Sequence, residues 1–133
     1  MRAAAMGLTL GLALAIGVAR NAGALEGSGV VLQALDKVTA RVTTLEVKLG
    51  QPIRFGTLEI VARRCYERPP EESPESAAFL DIREIRQDEL PQQLFTGWMF
   101  ASSPALSALE HPVYDVWVKD CLNVKSSDDS APR

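Results

Sequence analysis

One histidine, His111, is the chain's whole supply of imidazole. A two-histidine zinc site and a His₂Cys copper site therefore cannot be built from a single copy. No glycine-rich loop stands ready to cradle phosphate, and no Gly-x-Ser-x-Gly elbow surrounds a serine. Basic residues form no cluster: 14 of them are outnumbered by 17 acidic ones, for a formal charge of −3. That balance speaks against nucleic acid and against anionic membrane surfaces as partners. The acidic pairs offer little in exchange. Glu71-Glu72 lies among prolines, where carboxylates stay solvated, and Asp128-Asp129 lacks the fixed loop of a calcium site. No metal and no cofactor is expected.

What the sequence does carry begins at its start. Arg2 supplies a positive charge, Ala3 to Ala19 is uncharged and rich in Ala, Gly and Leu, and Ala22-Gly23-Ala24 offers small residues to a signal peptidase. Residues 1–24 are expected to be a signal peptide cleaved after Ala24, which places the protein in the periplasm. A spanning anchor fits less well, because the run is short, poor in bulky aliphatics and broken at Arg20. No stable membrane insertion is expected after cleavage. Cleavage takes away Arg2 and Arg20 but no acid, moving the formal charge from −3 to −5.

Export also changes the meaning of the two cysteines, Cys65 and Cys121. In an oxidising compartment an even pair in a small domain reads as one disulfide.

Residues 25–122 read as one β-rich domain and 123–133 as a disordered polar tail. Leu25–Gly29 reads as a short flexible lead. Val30–Leu35, Arg41–Leu49, Ile53–Phe55, Leu58–Tyr66, Ala77–Ile85, Leu94–Phe100 and Val113–Cys121 have strand character. Polar or Gly/Pro-bearing turns separate them, and Glu67–Ser76 forms an exposed, proline-stiffened loop. Ser103-Pro104 predicts one short helix, capped by the Ser103 hydroxyl and ended before Pro112. About seven strands and one short helix favour a small β-sandwich or partly open barrel. Strict alternation puts Cys65 with Arg63 and Glu59, and Cys121 with Lys119 and Asp115. Both cysteines then lie on polar faces, which predicts a staple near a sheet end or edge.

One set of residues has the types for nucleophilic catalysis: Ser102 or Ser103, with His111 as base and Asp115 to orient it. A structural use competes for each of them, Ser103 as a helix cap and His111 in a turn before Pro112. No catalytic residue is assigned. Trp98, Phe100, Tyr114 and Trp117 can be core, since aromatics supply much of a small domain's buried area. Alternatively Trp98, Asp115 and Trp117 mark a contact surface, beside a structured connection over 97–112.

Several segments together resemble one known family. They are Ala34–Thr39, Phe55–Leu58, Cys65-Tyr66, Arg68–Glu71, Gly97–Pro104 and Leu109–Trp117. The family is domain of unknown function 2155, short exported bacterial proteins, and the resemblance runs over about residues 30–121. It implies an envelope-located domain with two cysteines and brings no ligand or functional residue with it. The expected function is a non-catalytic module that binds another envelope protein. The alternatives are a small-ligand-binding domain and a hydrolase built on the serine set.

Overall fold

The computed structural model describes residues 23–124. The expected signal peptide, apart from Gly23 and Ala24, and the expected tail from Lys125 lie outside the described residues. The described residues are all-β, with two antiparallel sheets facing one another across a single core. The strands are β1 (Leu25–Glu26), β2 (Gly29–Asp36), β3 (Arg41–Lys48), β4 (Ile53–Phe55), β5 (Leu58–Glu67), β6 (Ser76–Glu84), β7 (Gln92–Phe100) and β8 (Tyr114–Leu122). The larger sheet runs β1-β5-β6-β7, with β4 also on β5; the smaller runs β3-β2-β8. Among the described residues no helix is long and apolar enough to cross a membrane.

Period-2 patterning explains most of the core. Val30, Leu32 and Ala34 of β2, Leu58, Ile60 and Ala62 of β5, Leu80 and Ile82 of β6, and Val116 and Val118 of β8 are almost fully buried. Three bulges then shift the phase. Arg63 in β5, Lys119 in β8 and Leu94 in β7 are each an extra residue with no partner opposite. Past Arg63 and Lys119 the inward positions move on by one, and Cys65 and Cys121 turn into the core. The disulfide therefore bridges β5 to β8, one sheet to the other, with Cα atoms 5.7 Å apart. The two cysteines are 0% and 7% exposed, so the expected polar-face placement is corrected. Their place near the C-terminal ends of their strands agrees with a staple at a sheet end.

Two other expectations change. Leu25–Gly29 is no loose lead: β1 pairs with Tyr66 and Glu67, and Gly27 N–H donates to the Cys65 carbonyl at 2.9 Å. The chain crosses from one sheet to the other at Gly27-Ser28, against the disulfide. A Cβ on Gly27 would lie 2.7 Å from Cys121 Cβ, so nothing larger fits. The helix after Ser103 shrinks to one 3₁₀ turn, Pro104–Leu106, and the Ser103 hydroxyl caps nothing. None of that turn's residues is buried, so no tertiary packing offsets the cost of nucleating a longer helix.

Candidate functional site

His111 ends up in a buried network, held from three sides. Its Nδ1 accepts the backbone N–H groups of Val113 (3.0 Å) and Tyr114 (3.1 Å), at the entry to β8. With that lone pair occupied, the ring is held as the Nε2–H tautomer, and Nε2–H donates to a carboxylate oxygen of Glu84. The Tyr114 ring stacks on the imidazole with centroids 5.1 Å apart and meets Phe55 edge-on at 5.4 Å. Lys37 Nζ donates to the His111 carbonyl at 2.9 Å. Glu84, at the end of β6, also accepts from Thr57 Oγ1 (3.1 Å) and pairs with Arg86. The His111 bond holds the Glu84 carboxyl below its ordinary range against the opposing effect of burial, with help from Thr57 and Arg86. Gly56 makes room for this packing: at φ +56° a Cβ there would sit 2.2 Å from the Tyr114 hydroxyl oxygen.

Glu84 escaped the sequence reading although a signal existed. It follows Leu80 and Ile82 on the inward parity of β6, and a carboxylate in that position needs a buried partner. The chain's one histidine is that partner.

The serine set is not brought together. Ser102 Oγ donates to Glu75, whose other oxygen accepts the Ser102 N–H at 3.0 Å. Burial pushes the Glu75 carboxyl up, but these Ser102 bonds outweigh it and the carboxyl sits below its ordinary range. Ser103 Oγ lies 3.5 Å from Ser102 Oγ. Both ring nitrogens of His111 are engaged elsewhere, so neither serine has its base. Asp115 does not orient the imidazole either; Glu84 does. A further acid pair sits beside the disulfide. Glu67 is pushed up chiefly by sharing a hydrogen bond with Asp120 and then by burial, while Ser76 Oγ approaches both at 3.4 and 3.5 Å.

The aromatic residues divide between the two readings. Tyr114 packs against the core. Trp98, 36% exposed, lies on the outer face of the larger sheet, stacked on Tyr66 at 5.9 Å and edge-on to Phe79 at 5.5 Å. Phe100, half-buried, alternates with the buried Met99 on that same face. Trp117 and Asp115 alternate with the buried Val116 and Val118 and so lie on the outer face of the smaller sheet. Trp98 is therefore apart from the other two. Trp117 Nε1–H donates to Gln33 Oε1 at 3.1 Å, which fixes the indole across β2. Beside it the 3₁₀ turn leaves a groove of about 380 Å³ lined by Pro104, Ala105, Ala108, Asp115, Val116 and Trp117.

Comparison with known proteins gives two likenesses. A family model described as "Uncharacterized protein conserved in bacteria (DUF2155)" matches residues 30–121. Uncharacterized protein RP359 of Rickettsia prowazekii (strain Madrid E) is 36% identical over 89 residues, covering 67% of this chain and 57% of the relative. The chain thus spans little more than half the length of that curated relative. No solved structure matches this chain.

Proposed function

The chain belongs to the DUF2155 family of proteins conserved in bacteria, and from that premise we propose that it is an exported periplasmic module that binds another envelope protein. Residues 25–122 are its working domain, released by cleavage after Ala24, and 123–133 a polar tail. The observation that carries the proposal is Trp117, half-buried and fixed by Gln33 on the outer face of the smaller sheet, beside Asp115 and a firmly tethered connection. Tryptophans in such settings dominate interface energetics. A buried disulfide supports an oxidising compartment. The groove beside Trp117 also favours the second reading, a small apolar ligand in the same place.

Two measurements test this. N-terminal sequencing of the protein from a periplasmic extract should begin at Leu25; a species retaining Met1 counts against export by cleavage. A photo-crosslinking residue at Val42, which lies on Trp117's face and is 50% exposed, should give one discrete adduct in the periplasm. The same probe at Leu90, 91% exposed in the β6–β7 connection, should give none. Trp117→Ala should lower the Val42 adduct at least about tenfold. Identical patterns from the two positions would defeat the interaction proposal.

A further inference from the structure

The groove beside Trp117 has a chemistry that selects its occupant. Its walls are apolar except for one carboxylate, Asp115. Among the described residues the Asp115 carboxylate has no ion-pair or hydrogen-bonding partner, whereas the arginines of the larger sheet's outer face are matched in pairs. Those pairs are Arg63 with Asp81, Arg64 with Glu26 and Arg83 with Glu59. Lys37, whose N–H bonds the Val113 carbonyl nearby, spends its ammonium on the His111 carbonyl. Across β2 the rung continues from Asp115 through Leu35 to Val42, both apolar. An unmatched carboxylate thus lines an otherwise apolar groove that has an indole in its wall.

A basic side chain has the complementary form. Its alkyl stem covers apolar surface while its cationic head stays at the rim, and a cation is attracted both to a carboxylate and to an indole face. The chain's acidic balance, −3 overall, draws in the same kind of partner at long range. We infer that this groove binds an arginine or lysine side chain of a partner polypeptide, its stem over Pro104, Ala105 and Ala108 and its charge on Asp115 and Trp117. The inference rests on the interaction module proposed above and names the chemistry of its partner.

The test is an NMR titration of the full exported chain, following the Trp117 indole N–H. The probe is acetyl-arginine methylamide, and the control is the citrulline analogue, alike in shape but uncharged. The arginine probe should shift the Trp117 resonance saturably and bind about two- to fivefold more tightly than citrulline, with the advantage shrinking as salt is raised. Asp115→Asn should abolish the advantage while leaving the melting temperature and the Trp98 resonance in place. Equal binding of both probes, an unchanged preference in the Asp115→Asn variant, or equal shifts at Trp98 would overturn the inference. A crosslinked partner without arginine selectivity keeps the module and removes the cation site. Arginine selectivity without any adduct keeps the site and removes the protein partner.

Discussion

A variant carrying Cys65→Ala and Cys121→Ala should melt roughly 15–30 °C below the parent chain, with its strand content unchanged below that temperature. The bridge spans 56 residues and joins the two sheets rather than two strands of one. On the chain-entropy account, removing such a link returns about 4 kcal/mol of freedom to the unfolded state. Domains of this size are stable by only about 5–15 kcal/mol in total, so the loss is a large share. Position adds to it. Both cysteines are buried, and Cys121 lies against Gly27, where the chain crosses between sheets, so the substitution also leaves unfilled volume near that crossing. Thermal melts followed by circular dichroism, with and without reductant, measure the effect. A shift below about 5 °C would mean that the β2–β8 and β5–β6 ladders hold the sandwich without the staple.

Why the sequence located the cysteines but not their direction can be traced to two residues. Arg63 and Lys119 look like ordinary outward positions in an alternating strand. Each is an insertion only relative to the strand opposite it, at Leu80-Phe79 in one case and Leu32-Val31 in the other. A bulge is a property of two strands, and one strand's pattern cannot display it. β1 was hidden for a similar reason: two residues carry no period, and their pairing is decided by Tyr66 and Glu67. The 3₁₀ turn shows the reverse. Ser103-Pro104 carries a sound local start signal, but the following residues bury nothing, so the local preference had no packing to extend it. Where no bulge intervenes, as in Arg41–Lys48 with Leu45 and Val47 turned to the core and at Ile53–Phe55, sequence and structure coincide. The candidate site was half legible. Asp115 and Trp117 share a face as the alternation requires, while Trp98 falls on the other sheet, and strand order is invisible to local patterning.

His111→Ala should lower stability at pH 7 by about 3 kcal/mol or more, the second large effect. The substitution removes a stacked ring from beside Tyr114, strips the Val113 and Tyr114 N–H groups of their acceptor and leaves the Glu84 carboxylate without its buried donor. His111 and Glu84 are buried and Val113 and Tyr114 half-buried, so solvent makes good only part of the loss. Glu84→Gln separates charge from shape, and the sign of its pH dependence follows from the carboxyl's depressed folded value. Unfolded, Glu84 takes up a proton near its ordinary value of 4.5; folded, it does so only at lower pH. Its contribution is therefore complete at neutral pH, begins to fall as the pH drops through 4.5, and is gone below the folded value. Asp81, lowered chiefly by the Arg63 bond, and Glu75 decline in the same acidic range, while Glu67, raised by Asp120, works in the opposite sense. All three are common to parent and variant and cancel in the comparison. Urea unfolding at pH 7, 5, 4 and 3 should show the parent more stable than Glu84→Gln at neutral pH and the gap closing below 4.5. A gap that stays constant down to pH 3 would show that Glu84 stabilises through shape alone. A closing gap makes its ionised carboxylate the group that ties the β8 entrance to the end of β6, and so holds Asp115 and Trp117 in place.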